Sequence, residues 1–318
     1  MKVLFLVQKE QRIILDRLYD SVVAHCDCDL RWLSSDEQAD LKGYFRRQVK
    51  ADQYDRILMF LRFKKEMRQV RFISTLPNLV LLEHDAYQNY VPGIKYQAKF
   101  SRHYQHLPGV RVLNSGANVV RRLRAEGIDS VWVPKGYDDG LLGNEQGPRD
   151  IELAFVGSLK NDAYRARRQL LEDLAKLEPL QILRTNSGED YRATLNRIRL
   201  FVSADVGMGE YMIKNFEAMA CGCTLLAYDQ GLDENQALGF EDMHNLVLYR
   251  SLDELREKLA ILRKDPELAA SIAQRGCELA QQRYRFSQLG QKIVEAMMTP
   301  LPLRAPQGWL ARLRQALG

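Results

Sequence analysis

The sequence has few cysteines and no long apolar run. These two absences argue against a disulfide-rich secreted protein and against a membrane-spanning one. Five cysteines among 318 residues are too few for a disulfide framework, which agrees with a reducing compartment. No stretch approaches the ~20 apolar residues that cross a bilayer. The opening segment MKVLFLVQKE contains an apolar run of only five residues, Val3–Val7, which is not typical of a secretory signal. We therefore expect a cytoplasmic protein.

The cysteines fall mainly in two Cys-x-Cys pairs, Cys26 with Cys28 and Cys221 with Cys223. Four thiolates could in principle hold zinc. Structural zinc sites, however, usually use Cys-x2–4-Cys spacing in loops. Here CDCD precedes a strand-like segment and CGC ends an alanine-rich helix. Buried small hydrophobic side chains are the better interpretation, and we expect no metal site.

Short apolar runs alternate with amphipathic segments along most of the chain. Runs such as KVLFLV, RILMFL and IELAFV are nearly continuous in apolar residues, which favours parallel strands covered by helices on both faces. A stretch rich in glycine and acids near residues 135–150 interrupts the alternation. The sequence therefore predicts an α/β protein with a first domain at 1–140, a linker at 141–150, a second domain at 151–290 and a helical tail at 291–318.

The first candidate site is the turn that follows the strand-like run AFV. Gly157 and Ser158 are followed by Lys160 and then by a helix-like segment. Glycine lets the backbone approach a phosphate, and a helix start offers free N–H groups to an anion. The turn matches neither G-x-G-x-x-G nor a Walker loop. A phosphate site and a plain strand-to-helix turn stay equally open from these residues alone.

The second candidate site is the segment GMGEYMIKNFEAMACGC. Lys214 and Asn215 lie near the start of a predicted helix, where the dipole favours a diphosphate. Glu217 follows among small apolar residues, and position 221, four residues on, is a cysteine. A lone carboxylate in that setting is suited to accept hydrogen bonds from vicinal hydroxyls such as those of a ribose.

These residues also carry a family resemblance. The run NFEAMACGC-LL, with VGSL and Y-x-x-x-L-N before it, resembles the donor-site signature of nucleotide-sugar glycosyltransferases of the GT-B type. Residues 151–298 look like the "glycosyl transferases group 1" C-terminal domain, in particular its CgeB-like subfamily. The resemblance implies two Rossmann-like domains facing each other across a cleft, with C-terminal helices that cross back to the first domain.

The resemblance also implies roles for the residues that match it. Glu217 would bind the ribose of the donor, and Lys214 and Asn215 would hold its diphosphate. Gly157, Ser158 and Lys160 would face that diphosphate from the other side of the site. Arg184, in the segment LRTNSGE, would lie near the base. These cations and a helix terminus would stabilise the leaving diphosphate without a metal or other cofactor.

One position departs from the family pattern. Many retaining members carry an acid eight positions before the residue equivalent to Glu217, and here that position is Gly209, with Glu210 one place off. Inversion and retention of the sugar configuration therefore both stay open.

An inverting reaction needs a base from the first domain. The run LLEHDAYQNY places Glu83, His84 and Asp85 at the end of a predicted strand. We predict that Asp85 or His84 abstracts the acceptor proton or contacts the transferred sugar. The alternative is that this cluster only caps a helix.

The resemblance suggests a hexosyltransferase-like enzyme whose acceptor is a glycan or a lipid-linked component of the cell envelope, such as lipopolysaccharide. The net charge of +5 and the basic stretch 42–71 fit an anionic partner, and this stretch lacks a nucleic-acid-binding motif. The tail GWLARLRQALG is either a basic amphipathic helix at the inner face of the membrane or a helix packed on the first domain. A non-catalytic nucleotide- or glycan-binding subunit is the alternative function.

Overall fold

The structure is a computed structural model in which residues 1–10, 14–160 and 164–303 are described. The predicted tail helix at 308–318 lies outside the described residues.

Strands and helices alternate in both halves of the chain, as the apolar runs predict. The strands are β1 (Lys2–Gln8), β2 (Asp27–Leu33), β3 (Arg56–Phe60), β4 (Leu79–Glu83), β5 (Arg111–Asn114), β6 (Asp129–Trp132), β7 (Ile151–Val156), β8 (Gln181–Leu183), β9 (Ile198–Ser203), β10 (Thr224–Tyr228) and β11 (Val247–Tyr249). The helices are α1 (Asp16–Val23), α2 (Ser35–Ala39), α3 (Leu41–Gln48), α4 (Phe63–Glu66), α5 (Val70–Ile73), α6 (Lys99–Gln105), α7 (Ala117–Ala125), α8 (Arg165–Leu177), α9 (Glu189–Arg197), α10 (Ile213–Ala220), α11 (Leu232–Leu238), α12 (Leu252–Lys264), α13 (Pro266–Arg283) and α14 (Phe286–Met298). Short 3-10 turns occupy Ala51–Gln53, Met67–Gln69 and Ala86–Tyr90.

The strands form two separate parallel sheets. The first has six strands in the order β2-β1-β3-β4-β5-β6, and the second has five in the order β11-β10-β9-β7-β8. Strand order reverses beside β1 in the first sheet and beside β7 in the second. Ligands of such sheets bind beyond the carboxyl ends of the strands at these reversal points. In the second sheet, the loops after β7 and β9 therefore meet where a ligand is expected.

Each sheet has hydrophobic clusters on both faces. Strand residues such as Val3, Phe5, Leu153 and Val202 are fully buried, because helices cover the sheets on either side. The predicted α/β class with two Rossmann-like domains is confirmed by this arrangement.

The last described helix returns to the first domain. In α14, Phe286, Leu289 and Ile293 share a hydrophobic cluster with β1 and α1. At Gly290, the absence of a side chain lets the helix approach α1 closely, since a Cβ there would lie 2.3 Å from the backbone carbonyl carbon of Ser21. The returning segment begins at Phe286, inside the range predicted for the second domain.

Among the described helices, none is both long enough and apolar enough to cross a membrane.

Candidate functional site

The loops after β7 and β9 meet at the carboxyl edge of the second sheet. Gly157 directly follows β7, and α10 begins ten residues after the end of β9. A Cβ added to Gly157 would come within 3.0 Å of Lys214 Cε, so the glycine turn and the start of α10 are in direct contact. The structure therefore brings together two of the sequence-predicted site segments.

A cavity of about 160 Å³ lies in front of α10. Two of its lining residues, Ile14 and Asp138, come from the first domain, and two, Leu141 and Leu142, come from the linker. The others belong to the second domain and are residues 185–188, Tyr191, Ile213, Lys214 and Glu217. An open groove of about 560 Å³ adjoins it through Thr185 and Asn186. Arg184 lines this groove, and its predicted place near the base stays a prediction.

Glu217 is 8% exposed and faces the cavity from the second turn of α10. The hydroxyl of Tyr191 donates a hydrogen bond of 2.6 Å to Oε2 of Glu217. Burial raises the pKa of the Glu217 carboxyl, and Lys214 and the Tyr191 hydroxyl act against that rise by stabilising the charged form. The carboxylate is therefore oriented by a neighbour on one oxygen.

Lys214 lies beside this pair. Its Nζ is 4.6 Å from the centroid of the Tyr191 ring and 3.5 Å from the Tyr191 hydroxyl. Burial lowers the pKa of Lys214, and the negative charge of Glu217 offsets part of that change. A cation, a phenol and a carboxylate thus line one wall of the cavity.

Asn215 has a different environment from the one expected. It is fully buried, and its Nδ2 donates to Asp205 Oδ2 at 2.7 Å and to the Met212 carbonyl at 2.8 Å. Its backbone N–H donates to the same Met212 carbonyl at 3.0 Å. All of its amide hydrogens are engaged, so Asn215 anchors the start of α10 and does not line the cavity.

Asp205 is the centre of that anchor. It also accepts the Met212 backbone N–H at 3.0 Å and forms a buried ion pair with Arg167 of α8. The guanidinium of Arg167 stacks 4.2 Å from the Tyr164 ring centroid. Sequence reasoning assigned no role to Asp205 or Arg167.

Ser158 and Lys160 lie in the loop after β7, where Ser158 Oγ accepts the Lys160 backbone N–H at 3.3 Å. Lys160 is exposed, and neither residue lines the cavity. Their predicted contact with a diphosphate stays a prediction.

The first domain contributes His84 and Asp85 at the carboxyl end of β4. The His84 ring packs edge-on against Phe60, with ring centroids 5.0 Å apart. Burial, together with the positive charge of Lys135, lowers the pKa of His84 to about 3. The imidazole is therefore neutral and weakly basic at neutral pH.

Asp85 is open to solvent in the cleft, and the surrounding protein raises its pKa through partial loss of hydration. Its side chain makes no capping hydrogen bond to the 3-10 turn that follows it. Its backbone N–H donates to Glu83 Oε1 at 2.7 Å. Of the two predicted bases, Asp85 is the more basic.

Glu210 does not face the cavity. It is 1% exposed and lies between the domains, where Oε1 is 2.9 Å from Lys135 Nζ and Oε2 accepts the Ser115 hydroxyl at 2.8 Å. Loss of hydration raises the pKa of Glu210, while the cation and the hydroxyl oppose the rise.

The two cysteine pairs lie apart. Cys26 and Cys28 pack against a cluster of the first sheet, whereas Cys221 and Cys223 are buried in a cluster of the second. Among the described residues, no group of three or more His, Cys, Asp or Glu side chains could hold a metal ion.

Tyr191 is one of the cavity residues to which the sequence analysis gave no role. Its signal was present, because Tyr191 opens the Y-x-x-x-L-N pattern that carries part of the resemblance. Nothing in the spacing shows that its hydroxyl meets Glu217, 26 positions away.

Residues 147–295 match the model of a family described as "Glycosyl transferase-like". No curated protein matched the chain. The CgeB-like subfamily is not tested by this match and stays a prediction.

Solved structures match over nearly the whole chain. The Anabaena protein HepE in complex with UDP and glucose is 16% identical with a TM-score of 0.69, covering 94% of this chain and 100% of its own. Sucrose-phosphate synthase from Thermosynechococcus elongatus is 12% identical with a TM-score of 0.65, covering 100% of both chains. A glycosyltransferase from Rickettsia africae is 12% identical with a TM-score of 0.62, covering 93% of this chain and 97% of its own.

At these identities the similarity concerns the fold. The chain has the GT-B fold, with two Rossmann-like domains, and residues 147–295 are similar to the "Glycosyl transferase-like" family.

Proposed function

We propose that the protein transfers a sugar, of the hexose class, from a nucleotide-diphosphate donor to a glycan or lipid-linked acceptor. The observation that carries the proposal is the cavity wall formed by Glu217, Tyr191 and Lys214 at the strand reversal of the second sheet. HepE, which shares the fold, binds UDP and glucose, and this supports a nucleotide sugar as the co-substrate.

Donor binding begins with the ribose. The Tyr191 hydroxyl donates its hydrogen bond to Oε2 of Glu217, and no described residue donates one to Oε1. Because Glu217 lines the cavity, two vicinal hydroxyls placed there could donate charge-assisted hydrogen bonds to this oxygen. Glu217 thus binds the ribose through Oε1, while Tyr191 fixes the orientation of the carboxylate.

In the proposed complex, the diphosphate lies between the start of α10 and the loop after β7. Lys214 and the start of α10 supply positive charge, and Gly157 leaves room for Lys214 against the loop. Ser158 and Lys160 would face the phosphates from the same loop. Stabilising the leaving diphosphate by these groups requires no metal in the proposed reaction.

Acceptor activation is assigned to the first domain. Asp85 is open to the cleft and loss of hydration raises its pKa, whereas the pKa of His84 is lowered to about 3, so Asp85 is better suited to abstract a proton from a hydroxyl. His84 would then contact the sugar or orient the acceptor.

The acceptor class follows from charge and from the resemblance. A net charge of +5 and the basic stretch 42–71 favour an anionic acceptor, and we propose a cell-envelope component such as lipopolysaccharide. The reaction would take place in the cytoplasm, with peripheral contact to the inner face of the membrane.

The test is calorimetric titration of the full chain with UDP, GDP and dTDP, followed by turnover of the matching nucleotide sugars. Glu217→Ala should reduce the affinity for the bound nucleotide by about one hundredfold, as expected for loss of a charge-assisted contact of ~2–3 kcal/mol. Glu257→Ala, on an exposed position of α12, is the matched control.

Unchanged nucleotide affinity in Glu217→Ala would refute the donor site. Nucleotide binding with neither transfer nor hydrolysis of any nucleotide sugar would instead favour a non-catalytic binding subunit.

A further inference from the structure

The loop between β9 and α10, residues 204–212, delivers the helix that carries Lys214 and Glu217. Two of its residues have left-handed backbone conformations, Gly207 with φ of 74° and Gly209 with φ of 71°. Its internal backbone hydrogen bond, from Met208 N to the Asp205 carbonyl, is long at 3.3 Å. The Asp205 carboxylate also accepts the Met212 N–H at 3.0 Å, so local contacts join the two ends of the loop but leave its middle to other contacts.

Contacts with the first domain hold the middle of this loop in place. The Met208 side chain is 3% exposed and belongs to the hydrophobic cluster of the first sheet, together with Tyr87 and Val119. Asn118, in the first turn of α7, donates from Nδ2 to the Gly209 carbonyl at 3.1 Å. The loop of one domain is thus inserted into the other.

Glu210 is the charged part of this contact. It reaches Lys135 Nζ at 2.9 Å and the Ser115 hydroxyl at 2.8 Å, and Lys135 is itself only 5% exposed. Gly116 permits the approach, because a Cβ there would lie 2.7 Å from Glu210 Oε2. A buried ion pair adds little net stability, but removing one partner leaves the other charge buried and unpaired. The pair therefore specifies where the loop sits.

We propose that Lys135 of the first domain is a positioning residue for donor binding in the second domain, acting through Glu210. The inference rests on the proposed function, because it concerns how the donor helix is held. Glu210 lies three residues before α10 begins and seven before Glu217, with Asp205 fixing the other side of the helix start. Displacing Glu210 moves Lys214 and Glu217 relative to the cavity.

The experiment compares amide hydrogen exchange and nucleotide binding in the full chain. Lys135→Met removes the charge while keeping much of the volume, and Asn118→Ala removes a neighbouring contact to the same loop, the hydrogen bond to the Gly209 carbonyl. Lys258→Met is the matched control, because Lys258 is also partly buried and ion-paired, but with Asp242 and Glu254 inside the second domain.

In Lys135→Met, exchange should accelerate about tenfold at Met212 and along α10, and affinity for the bound member of UDP, GDP and dTDP should fall about tenfold. Asn118→Ala should show the same pattern more weakly, and Lys258→Met should show neither change. If Lys135→Met does not fold, Asn118→Ala carries the comparison.

Unchanged exchange in α10 for a folded Lys135→Met overturns the inference, whatever Asn118→Ala shows. So does accelerated exchange with unaltered nucleotide affinity, because the loop would then move without affecting the donor site. If the wild-type chain binds none of the three nucleotides, the proposed donor site fails, and the exchange comparison alone decides whether Lys135 holds the loop.

Discussion

Glu234 lies in α11 of the second domain and is 1% exposed. Its Oε2 accepts the backbone N–H of Asn118 at 2.9 Å, at the start of α7 in the first domain. Burial raises the pKa of this carboxyl to about 8, against an ordinary value of 4.5, and the backbone hydrogen bonds from Asn118 and Ala117 only partly oppose the rise. The group therefore keeps its proton at neutral pH in the folded protein.

The sign of the pH dependence follows from proton counting. Between pH 4.5 and about 8, the unfolded chain has lost the Glu234 proton while the folded chain retains it. Folding then requires proton uptake, so the free energy of unfolding falls as pH rises through this window. The pKa difference of 3.5 sets an upper limit of about 5 kcal/mol for the loss, at ~1.4 kcal/mol per pH unit.

Glu234→Gln removes the titration and keeps a carbonyl oxygen for the Asn118 N–H. Relative to wild type, the variant should be nearly neutral at pH 4.5 and about 3–5 kcal/mol more stable at pH 9, most of the gain appearing below pH 8. Urea unfolding at pH 5, 7 and 9 measures the difference, with Glu257→Gln on exposed α12 as the control. A stability difference that stays constant from pH 5 to pH 9 would show that the carboxyl is not protonated in the folded state.

Two glycine substitutions test the packing on which the site depends, with Gly143→Ala as a control because a Cβ there meets no atom within 4 Å. Gly157→Ala would place a Cβ 2.8 Å from Phe155 Cζ and 3.0 Å from Lys214 Cε, so nucleotide affinity in calorimetric titration should fall about tenfold and stability by about 1–3 kcal/mol; equal affinity would separate the glycine turn from the donor site. Gly290→Ala would bring a Cβ within 2.3 Å of the Ser21 backbone and should lower the urea-derived unfolding free energy by about 1–3 kcal/mol or more, whereas full stability would contradict the packing of α14 on α1.

The alternation of strands and helices was predictable because apolar runs and helical periodicity are local properties. Apolar runs such as Ile151–Val156 form buried strands because helices cover both faces of the sheet, which is the arrangement that their continuous apolar character predicts. The place of Glu217 was also predictable, because the order of strand, loop and helix puts α10 at the carboxyl edge of its sheet.

The side-chain partners within the site were not predictable in the same way. Asn215 was expected to hold a diphosphate, yet it is engaged by Asp205, ten positions earlier. A buried carboxylate needs donors, and Asn215 Nδ2 and the Met212 N–H meet that need. Which polar groups satisfy one another depends on distances set by the folded loop, and a spacing pattern does not contain them.

Glu210 and Glu217 are only seven residues apart in the sequence, yet their side chains have different environments and different partners. Both are buried, and burial raises the pKa of both. Glu217 lies within a regular helix and faces the cavity, where a tyrosine leaves one of its oxygens without a donor among the described residues. Glu210 follows Gly209, whose backbone φ of 71° is rarely adopted by residues other than glycine. The Glu210 carboxylate pairs with Lys135 of the other domain.

The left-handed conformation of Gly209 also bears on the acid that many retaining members of the resembling family carry at the position equivalent to 209. Glu210 is one residue later and does not take the place of that acid at the cavity. An acid at 209 would require the left-handed conformation at a residue with a Cβ, and the Gly209 carbonyl is already bound by Asn118. The acid at 210 instead compensates a lysine that would otherwise be buried without a counter-charge. For the proposed transfer, Glu210 is therefore not available at the cavity, and Asp85 is the carboxylate that we propose from the first domain.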